Sequence, residues 1–335
     1  MSVRVAVDAM GGDYAPEEIV KGAVLAARED GTPILLVGQV DKIQAELAKY
    51  DTKGLDIDIV RADEVIEMGE SPGTALRKKK NASIVVTVQQ VAEGRAQAIV
   101  AAGSTGAAMA ASLFGLGRLP NIERPAIAVQ LPTLKKPVLL LDGGANSECE
   151  PEMLHQFAIM GSTFSSSVLG VENPRIGILN IGGEAGKGNL LSQETYKILD
   201  QKRDHLNFIG NVEGRELFTG ICDVVVCDGF VGNVTLKVTE GVAKMVFRLF
   251  KAEAGKSLWT KLAALCAKPL LMGIKKRTDP DEYGGALLLG IKGICVISHG
   301  SSHAKAIKNA IKLARESVEK DVNGKISSLY ELSRV

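Results

Sequence analysis

Short apolar runs alternate with longer amphipathic stretches along most of the chain. The runs RVAVDAM (4–10), PILLVG (33–38) and AQAIVAAG (96–103) are rich in leucine or β-branched residues, and apolar residues at three-to-four spacing follow each of them. Apolar strands separated by amphipathic helices are typical of parallel sheets whose two faces are covered by helices. The pattern therefore predicts an α/β fold.

The same spacing predicts several longer helices. One spans 74–94, a second spans about 234–253, and a closing helix begins near Ser302. These positions fix where each helix is expected to begin, which matters because the first turn of a helix has unpaired N–H groups.

One short connection breaks the alternation. The segments AIAVQLP (126–132) and PVLLLDGGAN (137–146) are separated only by TLKK. So short a link indicates an antiparallel pair within a mixed sheet, or a crossing between two lobes.

Polar residues and glycines gather where the predicted strands end. Six strand ends have this composition: DAMGGD (8–13), AAGSTG (101–106), LDGGAN (141–146), NIGGEAGKGN (180–189), CDGFVGN (227–233) and SHGSSH (298–303). Each one alone is explained as a turn, because glycine permits positive φ and Asp, Asn or Ser caps the next helix. Six together, expected on one rim of the sheet, indicate a shared ligand cleft.

The expected ligand of that cleft is an anion. Helices are predicted to begin at Ser104 with Thr105, at Asn233, and at Ser301 with Ser302, and a helix start attracts negative charge. Lys187 adds a mobile positive charge. GGEAGKG is not a phosphate-binding P-loop, because its spacing is one residue short and Gly188 replaces the hydroxyl residue.

Charge and motifs exclude several functions. A formal net charge of +1 gives no overall attraction to nucleic acid. There is no GxGxxG after the first strand, no GxSxG and no HExxH, so dinucleotide, serine-hydrolase and zinc-peptidase chemistry lack their signatures. Five cysteines without a CxxC pair fit a reducing cytoplasm. His299 ends an apolar strand, and it is structural, a proton carrier or a hydrogen-bond donor to phosphate.

Ten segments, in this order, resemble one known family. They are DAMGGDYAPE, ADEVIE followed by RKKKNAS, AAGSTGA, DGGAN, AIMGS, LNIGGEAGKGN, FIGNVEGR, DGFVGNVTLK, YGGALLLG and HGSS. The chain resembles the PlsX-type phosphate acyltransferases of bacterial phospholipid synthesis over about residues 3–320. The resemblance implies one domain over 1–335, possibly with two lobes. It also implies a Rossmann-like three-layer fold around a mixed, mostly parallel sheet, similar to phosphotransacetylases and isopropylmalate dehydrogenases.

The resemblance also implies a reaction and its partners. Inorganic phosphate attacks the thioester of a long-chain acyl group on acyl carrier protein, and the acyl phosphate product serves a membrane glycerol-3-phosphate acyltransferase. It further implies a homodimer in the cytoplasm, peripherally associated with the inner face of the cell membrane, and no metal or organic cofactor.

Together, strand-end position and resemblance give candidate residues. The candidate catalytic residues are Lys187, Asn233, His299 and Asp228. Those expected to bind phosphate or substrate are Asp8, Gly11, Gly12, Gly103, Ser104, Thr105, Asn146, Gly232, Ser301 and Ser302. Phosphate is itself the nucleophile, so positioning and oxyanion stabilisation replace a protein nucleophile.

Two basic segments need separate explanations. Residues 256–277, within a predicted inserted segment 254–280, place Leu258, Trp259, Leu262 and Leu265 among six Lys or Arg. This segment is either a dimer interface or an amphipathic surface for an anionic membrane. The cluster Arg77, Lys78, Lys79 and Lys80 is either a solvated helix face or a steering surface for the acidic carrier protein.

Two other functions remain open from the sequence. A phosphotransacetylase acting on short acyl-CoA would use a similar cleft, and a non-catalytic adaptor would recruit the membrane acyltransferase. Activity with acetyl-CoA distinguishes the first, and a failure to form acyl phosphate distinguishes the second.

Overall fold

The computed structural model describes residues 2–334 and contains one continuous sheet. Met1 and Val335, which the predicted domain 1–335 includes, lie outside the described residues. The strands are β1 Val5–Asp8, β2 Ile34–Gly38, β3 Ile57–Arg61, β4 Ala98–Ala101, β5 Ala126–Leu131, β6 Val138–Leu141, β7 Ile176–Asn180, β8 Phe208–Glu213, β9 Val224–Val226, β10 Ala286–Leu289 and β11 Ile294–Ile297. The helices are α1 Glu17–Asp30, α2 Val40–Leu47, α3 Pro72–Lys78, α4 Ser83–Ala92, α5 Thr105–Leu116, α6 Pro151–Ser167, α7 Leu190–Gln201, α8 Gly229–Ala254, α9 Leu258–Cys266, α10 Lys268–Thr278, α11 Ala304–Glu319 and α12 Val322–Arg334.

The strand order is β3-β2-β1-β4-β11-β10-β5-β6-β9-β7-β8. The first five of these strands are mutually parallel, and so are the last four. Between them, β10 is antiparallel to both β11 and β5, and β5 is antiparallel to β6. The predicted mixed, mostly parallel sheet is confirmed, and so is the antiparallel pair across TLKK.

Helices cover both faces of the first half of the sheet, as the alternation along β4 shows. Val100 belongs to the apolar layer under α1 and α11, whereas Ile99 belongs to the layer under α4 and α5. In the second half, Leu139 and Leu141 face α6. On the opposite face Leu140 packs with Val225 and neighbouring apolar side chains, and Leu236 of α8 packs against them.

Three helices have bounds that differ from the predicted ones, and one strand was missed. The stretch 74–94 is two helices, because the chain leaves helical geometry at Lys79 (φ −101°, ψ 76°), whose amine turns inward to Glu70 and the Val65 carbonyl. The helix expected near 234 begins at Gly229. The helix expected near Ser302 begins at Ala304 and is followed by a separate α12. The strand β10 was not predicted.

One element projects away from the sheet, and we call residues 229–278 the arm. It comprises α8, which is 26 residues and about 39 Å long, with α9 and α10. Within the described residues of these three helices, only Gly229 and Gly232 are buried. No helix among residues 2–334 combines the length and apolar character needed to cross a membrane.

Candidate active site

The six strand-end turns do not share one rim, so the single-rim prediction is wrong. Because β10 and the β5–β6 pair reverse the chain direction, β6, β7 and β9 run opposite to β1, β4 and β11. Their carboxyl ends therefore lie at opposite edges of the sheet. We call the turns 8–13, 101–106 and 298–303 the first cluster, and the turns 141–146, 180–189 and 227–233 the second cluster.

In the first cluster the backbones of the three turns are in contact. A Cβ atom added to Gly11 would lie 2.9 Å from the Gly103 nitrogen. Gly12 has φ of 108°, and the N–H of Asp13 beside it donates to the Gly300 carbonyl at 2.8 Å. Gly11, Gly12 and Gly103, which were predicted to bind phosphate, therefore allow the backbones of these turns to pack together, because a side chain at these positions would keep them apart.

Asp8 lies beneath these turns and is 4% exposed. It borders a cavity of about 10 Å³ that Ser83 and Ser104 also line, about the space of one water molecule. Burial raises the pKa of Asp8, although hydrogen bonds from Ser83 and from the Met10 and Gly11 N–H groups act in the opposite direction. A raised pKa favours the uncharged carboxyl group, which does not repel a phosphate dianion.

The raised pKa of Asp8 leads to a prediction about how the stability of the protein changes with pH. The folded state holds this proton more tightly than the unfolded state, so the stability of the wild type should fall as pH rises from about 4 through the folded pKa. Asp8→Asn removes this titration and keeps a side-chain oxygen to accept from Met10. We expect the stability of the variant to rise relative to that of the wild type between pH 4 and pH 7, measured by urea unfolding. Parallel stability curves over this range would contradict the assignment.

The start of α5 is the clearest anion-compatible feature of the first cluster. Ser104 is its N-cap and accepts from the Ala107 N–H at 3.3 Å. Thr105, the first residue of the helix, is exposed. The prediction that a helix begins at Ser104 and Thr105 is confirmed.

His299 and Ser301 form a hydrogen-bonded pair in the same cluster. The Nδ1 atom of His299 accepts from the Ser301 N–H at 3.2 Å and lies 2.8 Å from its Oγ. In the neutral imidazole this places the proton on Nε2, which is then the donor. Neither Ser301 nor Ser302 begins a helix, and the first N–H of α11 donates to Glu18 Oε2 at 2.6 Å. The first N–H group of α11 is therefore already paired with the Glu18 carboxylate.

Asp142 organises the second cluster, and we had not predicted it. It is fully buried, and its carboxylate accepts five N–H bonds. The donors are the backbone N–H groups of Ile127, Gly144, Ala145 and Asn146 and the Asn146 side-chain amide, at 2.7–3.1 Å. The only sequence signal was its place at a strand end before two glycines. Asn146 donates its amide to Asp142 and to the Pro125 carbonyl, so in this state it positions the turn.

The start of α8 packs directly on this turn. A Cβ atom on Gly232 would lie 1.9 Å from the Asp142 carbonyl oxygen. Asp228 is the N-cap and accepts from the Val231 N–H at 2.8 Å. Asn233 lies inside the helix, contrary to our prediction that it begins there, and its side chain faces Gly144. Gly229 and Gly232 at the predicted turn allow the helix to begin earlier, because they let it approach the turn.

Lys187 lies on the loop that follows β7, also in the second cluster. Its side chain is 51% exposed, and its amine is 4.0 Å from Glu184. Asn180, Gln193 and Asn211 hold the loop by donating to its carbonyls. The four candidate catalytic residues are therefore divided, with His299 in the first cluster and Lys187, Asp228 and Asn233 in the second.

Both clusters border one apolar layer, on the face of the sheet that α5 covers. Ala145, from the turn that Asp142 organises, packs against the apolar layer that contains Ala107 and Ala108 of α5. A cleft on this face would be flanked by the start of α5 on one side and by Asn233 on the other.

The remaining predicted residues fall into two surfaces. Arg77, Lys78 and Lys80 are exposed, whereas Lys79 is paired with Glu70 and does not belong to a common basic face. In the arm, Leu258, Trp259, Leu262 and Leu265 are 79%, 82%, 55% and 65% exposed.

Comparison with known proteins identifies the family. Residues 3–325 match the family described as "Fatty acid synthesis protein". A protein of Pelotomaculum thermopropionicum named phosphate acyltransferase is 52% identical over 331 residues, 98% of this chain and 96% of its own. A phosphate acyltransferase of Heliobacterium modesticaldum is 56% identical over 320 residues, 95% of each chain.

Solved structures agree on the fold. A phosphotransacetylase from Streptococcus pyogenes has a TM-score of 0.63 at 16% identity and covers 95% of this chain and 94% of its own. The EutD phosphotransacetylase from Staphylococcus aureus has a TM-score of 0.61 at 15% identity, over 94% of both chains. At such identities the likeness concerns the fold alone, and it confirms the Rossmann-like three-layer architecture.

The fold and these relatives define the chain as an acyltransferase. It belongs to the fatty acid synthesis protein family, and its resemblance to the PlsX-type phosphate acyltransferases is confirmed.

Proposed function

We propose that this enzyme transfers a long-chain acyl group from acyl carrier protein to inorganic phosphate, giving acyl phosphate for glycerol-3-phosphate acylation. The observation that carries the proposal is the identity of 52% and 56% with phosphate acyltransferases along nearly the whole chain. The anion-compatible start of α5 supports a phosphate site.

The reaction needs three things from the protein. A phosphate oxygen attacks the thioester carbonyl carbon, the carbonyl oxygen becomes an oxyanion, and the C–S bond then breaks to release the thiol. Phosphate must be held near the carbonyl, the oxyanion needs donors, and the departing sulfur benefits from a proton.

The two clusters supply groups suited to these tasks. The N–H groups and partial positive charge at the start of α5 suit the phosphate. The Asn233 amide and the Lys187 amine, from the second cluster, suit the oxyanion and remaining phosphate charge. The Nε2–H of His299 suits the sulfur. Asp228 contributes by fixing the start of α8.

Trapping the product tests the proposal. Purified protein with palmitoyl carrier protein, phosphate and hydroxylamine should form palmitoyl hydroxamate faster than the slow direct reaction of hydroxylamine with the thioester, and only phosphate should cause this acceleration. If acetyl-CoA is a better substrate, the chain is a phosphotransacetylase of short acyl groups. If phosphate accelerates hydroxamate formation with neither substrate, the adaptor function is favoured and the proposal fails.

The arm has two exposed apolar surfaces, to which we assign different partners. Along α8, Val234, Val238, Val242, Met245 and Leu249 recur at helical spacing and are 48–58% exposed. An apolar stripe of this length suits the same helix of a second copy. The leucines of α9, near Lys256 and Lys261, suit an anionic membrane at the inner face of the cell membrane.

Leu258→Glu with Leu262→Glu tests this division of the arm. We expect at least tenfold weaker binding to anionic liposomes in flotation assays, because two apolar side chains that would enter the membrane become charged. Soluble activity and the dimer should persist. Leu134→Glu with Leu332→Glu, which changes exposed leucines outside the arm, is the matched control. If the α9 variant becomes monomeric instead, these leucines belong to the interface.

Charge reversal tests the carrier-protein surface. Lys78→Glu is expected to raise the KM for acyl carrier protein several-fold at low salt and to flatten its salt dependence, because the carrier is acidic. Lys42→Glu, an exposed change on α2, should leave both unchanged. Identical salt profiles for the wild type and Lys78→Glu would exclude steering by this residue.

A further inference from the structure

We propose that the groove bounded by α3, α4 and α5 binds the fatty acyl chain, with the phosphoryl end of the acyl phosphate beside Arg77 and Lys80. The inference rests on the proposed function and extends it, since it names the site that holds the chain. The sequence alone did not reveal such a site.

The groove has the size and lining of a ligand site. Its volume is about 440 Å³, within the range of about 300–1,000 Å³ for small-molecule pockets. Leu76, Val88 and Ala111 line it and are each at most 9% exposed, so its floor belongs to the apolar layer over the sheet. Phe114, at the rim, is 78% exposed.

The groove is elongated along α4. Its lining includes Val85 and Ala92 on this helix, seven residues apart, which corresponds to about 10 Å. With C–C bonds of about 1.5 Å, an extended alkyl chain advances about 1.3 Å per carbon, so about eight carbons fit this length. Residues from Ala111 to Gly115 of α5 form the other wall.

Two basic side chains lie at the end of this apolar groove where α4 begins, since Arg77 is in the last turn of α3 and Lys80 comes three residues before Ser83. Arg77 and Lys80, which come from α3 and the residues just after it, line the groove and make no ion pair among the described residues. Lys79 forms an ion pair with Glu70, and Lys78 does not line the groove. An apolar channel with two unpaired cations at one end is complementary to an alkyl chain with an anionic end.

That basic end adjoins the first cluster. Ser83 and Ile84, at the start of α4, line the same small cavity as Gly103 and Ser104 of the first cluster. Val85, the next residue of α4, lines the groove. A chain lying in the groove toward Ala92 therefore has its reactive end close to the start of α5, where phosphate is proposed to bind.

Alkyl phosphates of different length test the groove without carrier protein or catalysis. We expect dodecyl phosphate, titrated calorimetrically below its micellar concentration, to bind with a stoichiometry of one and more tightly than hexyl phosphate. The gain should be about fourfold for each methylene that enters apolar contact. No saturable binding, or equal affinity for the two ligands, would overturn the proposal.

Filling the groove with a large side chain should remove the higher affinity for dodecyl phosphate. Ala92 is exposed at the far end, so Ala92→Trp blocks the groove with little effect on the fold. It should bring dodecyl phosphate to within about threefold of hexyl phosphate. Ala48→Trp, an exposed change at the end of α2, should keep the full difference in affinity between dodecyl and hexyl phosphate. Gln89→Trp, in the middle of the groove, is the second filling variant if Ala92→Trp loses its native circular dichroism.

The basic end is tested separately. Arg77→Gln with Lys80→Gln should weaken both alkyl phosphates at least tenfold, whereas Lys78→Gln should not. If Leu258→Glu with Leu262→Glu abolishes dodecyl phosphate binding and Ala92→Trp does not, the alkyl chain binds the arm and the groove is excluded. Failure of the hydroxylamine trap, by contrast, would refute the proposed reaction and leave these binding results intact.

Discussion

Replacing Gly232 with alanine should cost about 3 kcal/mol of unfolding free energy and abolish activity. The added Cβ atom would lie 1.9 Å from the Asp142 carbonyl oxygen, a backbone atom that cannot move without its turn. Overpacking of a rigid contact typically costs about 1–3 kcal/mol, and here both partners are main chain. Urea unfolding monitored by circular dichroism measures the loss.

Gly241→Ala provides the matched control for Gly232→Ala. It lies in the same helix, but a Cβ atom there meets nothing within 4 Å in this chain. Alanine favours a helix over glycine, so this variant should gain about 0.5–1 kcal/mol. If the two alanine variants had the same stability, the described contact between α8 and the Asp142 turn would be wrong.

Replacing His299 with alanine should lower kcat about 100-fold and change the KM for phosphate little. Removing a general acid typically costs about two to four orders of magnitude in rate. The Ser301 N–H leaves Nε2 as the protonated nitrogen of neutral His299, so this donor is available to the departing sulfur. Steady-state kinetics with palmitoyl carrier protein measure the effect.

A better leaving group separates proton donation from a structural role. A palmitoyl thiophenyl ester releases a thiolate that needs no proton, so His299→Ala should lose much less activity with it. His205→Ala, an exposed histidine after α7, is the control and should resemble the wild type with both substrates. An equal loss with both esters would exclude His299 as the acid.

Much of the fold was predictable, because the periodicity of strands and helices depends on residues that are close together in the sequence. The apolar run before Asp8 and the short link between β5 and β6 both correspond to observed elements. The reversal of the later strands was not recognised, although that hairpin already requires it. The unpredicted β10 has only four residues and follows the arm, so its apolar run had no flanking pattern to identify it.

The candidate site was less predictable, because its geometry depends on contacts between distant segments. Four of the five N–H bonds to Asp142 come from the local turn 144–146, but the fifth comes from Ile127 on the neighbouring strand, and the helix start that packs on this turn is about 90 residues further along the chain. Likewise, Gly232 was taken as part of a turn, whereas its role is to let a helix approach a backbone. Local propensity therefore placed the start of α8 five residues too late.

The binding of inorganic phosphate to variants at both edges of the sheet tests most directly whether the two clusters form one site. Thr105→Val changes the exposed start of α5, and Asn233→Ala changes the side chain that faces Gly144. Hydrogen bonds to a charged ligand contribute about 1.5–3 kcal/mol, so each variant should weaken phosphate binding about 10- to 100-fold in calorimetric titrations. If Asn233→Ala binds phosphate as tightly as the wild type, the second cluster does not contact the nucleophile and the two-sided site is wrong.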